Sequence, residues 1–286
     1  MKTPSPERID VFACQTDNRP IIKTKQEMGK AVFFSMFAHD LKNPITAAIG
    51  SIDITREGRL GPINEEQAEY LQSAIDSCNE VVAMIDNLLD MQRFDAGAMP
   101  LSIQNCQVEE IVHEVAGKYI RMAAYERISL IYELEADLPL VTGDRFLLGR
   151  VIANLLANAI KFTPEEGRIV LSCRYVEDSD AQLLVIPDYC RIPEGFSAKR
   201  PLMQLSIMDS GEGIPPDELA IIFEQFAQGN NSPLRGQRGA GLGLAFCRMA
   251  MEQMGGVIWG ESNSVVGSEF IALLPCQTKG YQQGVS

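Results

Sequence analysis

Only two histidines occur in the 286 residues, and their settings differ. His39 lies in "FAHDLKNPIT" (37–46), with Asp40 directly after it and Pro44 five positions on. An imidazole titrates near neutral pH and has two distinct nitrogens. A carboxylate that manages the proton on one leaves the other as a neutral nucleophile, suited to attack on phosphorus. Asp40 is placed to do this. Pro44 has no N–H for the carbonyl of Asp40, and its ring crowds that carbonyl, so the helix should loosen just past the histidine. His113 also precedes an acid, Glu114, but Lys118 stands at the fifth position and the residue falls mid-helix, which reads as structural. Taken alone, His39 is better explained as a surface histidine near a kink.

Four clusters in the second half carry groups that a phosphorylated ligand needs. "NLLANAIKFTP" (154–164) sets Asn154 and Asn158 four apart on one helix face, with Lys161 one turn further. A neutral amide oxygen is a reasonable Mg²⁺ ligand where phosphate oxygens supply the charge, and Lys161 would meet phosphate directly. Two polar positions on an ordinary helix explain the same pattern. "DSGEGI" (209–214) turns through Gly211 and Gly213, which tolerate positive φ and close approach of a ligand. A buried Asp209 would accept from the exocyclic amino group of adenine and refuse guanine; alone, a plain Asp-Ser-Gly turn is the simpler account. "IFEQF" (222–226) precedes "AQGNNSPLRGQR", a polar stretch long enough for a lid, in which Arg235 and Arg238 are either phosphate contacts or solvated charge. "GAGLGLAF" (239–246) brings Gly239, Gly241 and Gly243 to the start of a helix, whose first amides favour anions. It is not a dinucleotide fingerprint, because Leu244 and Phe246 fall where a small residue is needed.

These groups need particular elements to hold them. Phe34, Ala38, Leu41, Ile45, Ala48 and Ile52 recur at spacings of four and three, as do Leu71, Ile75, Cys78, Val82, Ile85 and Leu89. With "EGRLGPIN" (57–64) between them, they predict an antiparallel helical hairpin. One hairpin covers its apolar stripes poorly, so two should form a four-helix bundle, making a homodimer through residues 28–97. Beyond Leu101, "LSIQNC" and "ISLIYEL" read as strands around a helix at about 107–126. A long helix follows Asp144 as N-cap and stops at "TP" after Phe162. "RIVLSCRYV" and "LMQLSIMD" alternate as strands, and "VIWGES" with "SEFIALL" makes a final hairpin. The fold class is α+β: a helical hairpin, then helices packed on one face of a mixed sheet. The stretch 177–201 fits either an extra hairpin or a surface loop.

Bulk properties exclude several functions. A formal charge of −13 with no basic stripe argues against nucleic acid as partner. Seven scattered cysteines, odd in number and without CxxC, suggest reduced thiols in a cytoplasmic protein. No apolar run nears the 18 residues of a membrane span, and "MKTPSPERID" is unlike a signal peptide. The expected division is a tail at 1–27, the helical unit at 28–97, an α/β unit at 98–276 and a short tail at 277–286. Residues 1–27 are too few for a sensor domain, so the chain is expected to belong to a longer receptor or to take its signal from a partner.

Together "HDLKNP", "NLLANAIKFTP", "DSGEGI", "IFEQF" and "GAGLGLA" occur in the order and spacing of the H, N, G1, F and G2 boxes of two-component sensor histidine kinases, and the chain resembles that family from about Met28 to Leu274. The resemblance implies a dimeric phosphotransfer bundle followed by a gyrase-type ATP-binding sandwich, with ATP and Mg²⁺ as cofactors and a response regulator receiver domain as partner. It further implies His39 as phospho-acceptor, Asp40 as its general base, and Asn43 at the position linked to dephosphorylating the regulator. Asn158 corresponds to the Mg²⁺ ligand, Lys161 to a phosphate contact and Asp209 to the adenine reader, with Gly211, Gly213, Gly239, Gly241 and Gly243 around the nucleotide. Two departures stand out. Arg150 replaces a glutamine common among relatives and should alter pocket charge, and 177–201 exceeds the usual connection and should be peripheral. The rivals are a gyrase-like or MutL-like ATPase, which lacks the histidine-bearing hairpin, and a degenerate scaffold, expected to have lost His39, Asn158 or Asp209. Neither mark is present.

Overall fold

The hairpin begins from a reciprocal cap. The Asn64 side chain accepts from the Gln67 N–H at 2.7 Å, and the Gln67 side chain accepts from the Asn64 N–H at 2.9 Å. This satisfies two amides that would otherwise lack partners at the start of helix α2 (Glu65–Asp95). Helix α1 (Lys25–Arg56) packs antiparallel against it, tied across by Lys42 to Asp86 and Arg56 to Gln72. The structure, a computed structural model, describes residues 25–177, 185–198, 201–227, 241–263 and 267–278, with side chains from residue 36 onward except that of Asn263. Arg235, Arg238 and Gly239 lie outside the described residues. Pro44 stands inside α1, yet the helix continues through it. The expected loosening is a missing hydrogen bond rather than a break, since the Asp40 carbonyl belongs to an exposed turn that water can serve. Within one chain the apolar stripe is only partly covered: Ala38 and Ile75 are buried, while Met36, Phe37, Leu41 and Ile54 stay exposed.

The second unit comprises β1 (Ile103–Cys106), α3 (Val108–Tyr125), β2 (Ser129–Leu134), β3 (Val141–Asp144), α4 (Arg145–Phe162), β4 (Arg168–Val176), β5 (Leu202–Asp209), α5 (Gly243–Gln253), β6 (Val257–Asn263) and β7 (Gly267–Pro275). Five strands form a mixed sheet in the order β2-β4-β5-β7-β6, parallel only between β2 and β4. Helix α4 contributes Leu148, Val151, Ile152, Leu155, Leu156 and Ile160 to the core between helices and sheet, all nearly fully buried. Its start is fixed by Asp144, whose carboxylate accepts from Phe146 and Leu147 at 2.9 and 3.1 Å and from Ser102 at 2.8 Å. Strands β1 and β3 pair antiparallel as a separate small sheet, joined to the end of β7 through Val141 and Cys276. Strand β3 was not expected, because four residues give too little alternation to read.

The segment 177–201 has a larger role than the peripheral one expected. In its described part, Ile186, Cys190, Phe196 and Ala198 pack on Val176, Leu202, Val257, Trp259, Ile271 and Leu273, a second apolar cluster on the sheet face away from the helices. No strand occurs among its described residues. Tyr189 Oη donates to the Gly260 carbonyl at 2.8 Å and the Cys190 thiol lies 3.6 Å from that of Ile258, so the segment also covers part of the β6 edge. With both faces covered, β5 is buried at seven of its eight positions.

Candidate active site

His39 stands one position past buried Ala38, so its side chain turns out of the seam and is 72% exposed. Its Nδ1 lies 3.4 Å from the Asp40 carboxylate and 3.3 Å from the Asn43 amide, one turn further along the helix. Both lie beside the same nitrogen, which serves Asp40 as an N–H or accepts from the Asn43 amide through its lone pair, one at a time. With the Nδ1 proton turned to Asp40, Nε2 keeps its lone pair and faces solvent. All three predicted residues of this motif therefore meet around one ring. His113, by contrast, is exposed on α3 and meets Tyr132 edge to face, with centroids 5.2 Å apart.

The other predicted residues gather at one end of the sheet. Asp209 ends β5 and is 4% exposed. Its carboxylate accepts from the Gly211 N–H at 2.8 Å and from the backbone of Ser268. Burial pushes this carboxyl above the usual carboxylate range, and the two backbone donors oppose the shift without cancelling it. Gly211 is required by contact: a Cβ there would sit 2.6 Å from the Phe162 carbonyl at the end of α4. Gly213 and Gly241 take positive φ, +79° and +70°, where glycine is favoured. The Gly241 carbonyl accepts from the Phe226 N–H at 3.0 Å, fastening the "IFEQF" segment to the start of α5. At Gly243, a Cβ would come 3.8 Å from Asn154, so the N-terminus of α5 closes on α4. Asn154 hydrogen-bonds the Cys247 thiol inside the core, whereas the half-buried Asn158 amide bonds to no described residue. Burial lowers the Lys161 ammonium below the ordinary lysine value, partly offset by the negative charge of Glu80 on α2. Among the described residues no group of three or more His, Cys, Asp or Glu converges. A divalent cation at Asn158 would therefore draw its remaining ligands from phosphate and water. A buried acceptor, glycines that leave backbone bare and an unspent amide fit an adenine nucleotide.

Residues that sequence reasoning missed join the two units. Arg150 on α4 reaches across to α2, pairing with the Asp90 carboxylate and donating to the Asn87 side chain at 2.9 Å. Its guanidinium lies 4.1 Å from the centre of the Phe246 ring. Beside it, Met91 packs into Leu242 and Ala245. Arg150 thus reaches α2, a contact that the expected change in pocket charge did not foresee. The only signal in the sequence was a pair of polar residues, Asn87 and Asp90, beside an apolar stripe. Gly267 was also missed: at φ +104° it passes so close to the Asp209 carbonyl that no Cβ fits.

Comparison with known proteins agrees with this geometry. Residues 30–97 match the His Kinase A (phospho-acceptor) domain. Residues 143–278 match the histidine kinase-, DNA gyrase B- and HSP90-like ATPase family. The chain is 28% identical over 249 residues to the alginate biosynthesis sensor protein KinB of Pseudomonas aeruginosa, covering 87% of this chain and 37% of that one. To the circadian input-output histidine kinase CikA of Synechococcus elongatus it is 29% identical over 252 residues, covering 87% and 30%. To the sensor histidine kinase RcsC of Escherichia coli it is 27% identical over 257 residues, covering 89% and 24%. It thus spans about a quarter to a little over a third of the length of these curated relatives. A crystal structure of full-length ShkA in complex with AMPPNP shares the fold at a TM-score of 0.62 and 24% identity, over 87% of this chain and 47% of that one. No helix among the described residues is long and apolar enough to cross a membrane. A phospho-acceptor hairpin and an ATPase-type sandwich, matched in this order over more than two thirds of the chain, mean that the protein belongs to the two-component sensor histidine kinases.

Proposed function

We propose that the chain is a kinase core that phosphorylates His39 from MgATP and passes the phosphoryl group to an aspartate on a response regulator receiver domain. The arrangement of His39 carries this reading: Nδ1 lies within reach of the Asp40 carboxylate, which takes its proton, while Nε2 is left open to solvent. Nε2 forms the new bond to the γ-phosphorus, the bond from that phosphorus to the β–γ bridging oxygen breaks, and ADP departs. The ring becomes cationic as the N–P bond forms, and Asp40 stabilises it by accepting the Nδ1 proton. Asp209 reads the adenine amino group and Lys161 steadies phosphate; Asn158 would hold Mg²⁺, which when bound would supply charge neutralisation at the triphosphate. Catalysis is chiefly positioning. Asn43, already beside the ring, orients a water for removing phosphate from the regulator. Arg235, Arg238 and Gly239 complete the nucleotide side in this proposal. The uncovered Met36, Phe37, Leu41 and Ile54 support pairing of two hairpins as a homodimer.

The test is incubation with γ-labelled ATP and Mg²⁺. Label should enter the protein, survive alkali, be lost in acid, and be absent from His39→Ala. Label retained by that variant would remove His39 from the reaction.

A further inference from the structure

The contact between α2 and the ATPase-type domain contains a buried charge that, among the described residues, one side chain is placed to neutralise closely. Asp90 is 6% exposed, although it belongs to a helix of the phosphotransfer hairpin. A carboxylate withdrawn from water needs a charged or hydrogen-bonding partner. Arg93, on the same helix, approaches only to 3.5 Å, and Arg150 supplies the close pairing from the other domain. Arg150 is itself held from two more directions, by Asn87 and by the face of Phe246, which in turn meets Phe94 of α2 with centroids 6.0 Å apart. Further along, Glu80 of α2 lies near enough to act on Lys161 of α4. The two interactions are ten residues apart on α2 and eleven on α4, in opposite order, or about 15 and 16 Å at helical rise. Their opposite order means that α2 and α4 run antiparallel, with a close ion pair at Asp90 and a longer-range attraction at Glu80.

This docking leaves His39 aside. Its described partners are Asp40 and Asn43 on its own helix, and the ATPase-type domain rests on α2. Glu80 meanwhile occupies part of the field of Lys161, the residue assigned to phosphate. Leu242, buried against Met91, is followed by Gly243, whose backbone adjoins Asn154. The docked face is therefore continuous with the walls of the nucleotide pocket. We propose that Arg150 is a positioning residue: its bridge to Asp90 and Asn87 holds the ATPase-type domain on α2 in a resting pose, and the bridge must open before the domain can present its phosphate to His39. The effect on catalysis rests on the kinase reading above; the bridge itself does not.

Arg150→Gln keeps a polar side chain but ends two bonds short of the guanidinium nitrogens, so Asp90 loses its main counter-charge and Asn87 its donor. Two measurements on the full chain separate the parts. Hydrogen exchange without nucleotide should quicken in residues 84–94 and 242–248 of the variant. Initial autophosphorylation at saturating ATP should rise at least about fivefold, the low end of coupling between sites, with KM for ATP within about a factor of two. The exchanged pair Arg150→Asp with Asp90→Arg should return both readouts toward wild type, which a simple loss of stability would not do. Unchanged exchange in Arg150→Gln, or a slower reaction at unchanged KM, overturns the proposal. If exchange quickens but even the wild type takes no label, the kinase reading fails and the bridge stands.

Discussion

At Asp209 two requirements oppose each other. The carboxylate has to be buried to read an adenine amino group, and burial disfavours its charged form. Its native pKa lies above the ordinary value, so the folded state binds a proton more tightly than the unfolded one. Stability is then fullest below the unfolded value and falls as pH rises through the raised native value. Asp209→Asn should lose this slope, seen as a thermal midpoint less dependent on pH across the acidic range. It should also lose stabilisation by nucleotide, which for a wild-type protein at a hundredfold excess over Kd is about 2.7 kcal/mol. A variant that keeps the full shift with ATP would remove Asp209 from the site. His39, Asn158 and Asp209 were visible in the sequence because each lies in a short run with its own chemistry. The bridge from Arg150 to Asp90 was not, because it joins residues 60 apart through a docking that no local pattern encodes.

Helix α4 gathers more of the site than any other element, carrying Arg150, Asn154, Asn158 and Lys161 on four successive turns. Its register is set at Asp144, which caps the helix and also holds the Ser102 amide. Asp144→Ala should cost about 1–2 kcal/mol, as lost N-caps do, measured as a lower urea midpoint at unchanged slope. A change within error would mean that packing alone fixes the register. The bounds of α4 were readable from its Asp144 cap and the "TP" after Phe162, and those of α3 to within a residue or so from the strands flanking it. Strand β1 is exposed at three of its four positions, so its pairing with the unexpected β3 depends on partners distant in sequence.

Across the whole molecule, the chain divides its apolar surface among a core between helices and sheet, a second cluster under the 185–198 segment, and the contact of α2 with α5. The second cluster includes Trp259, the chain's single tryptophan, which is 2% exposed. Phe196→Ala should move its emission to longer wavelength and lower stability by about 1–2 kcal/mol, less than the 3–5 typical of a fully buried phenylalanine. Nucleotide affinity should stay unchanged, because this cluster lies on the sheet face away from α4. An unmoved emission would show that the segment does not shield the indole. Nothing periodic in 177–201 announces this role: its anchors Ile186, Cys190 and Phe196 are spaced irregularly, as a loop laid over a flat surface requires.

Tyr189 and Cys190 have a consequence beyond packing. Fibrils built from folded molecules grow when each copy offers two open borders of hydrogen-bonding groups, one to receive a neighbour and one to pass the pattern on. Here the β6 border has the carbonyls of Ile258 and Gly260 already occupied. A neighbour's strand arriving at β6 would have to displace Tyr189 and Cys190 first, which leaves β2 as the more open border of the five-stranded sheet.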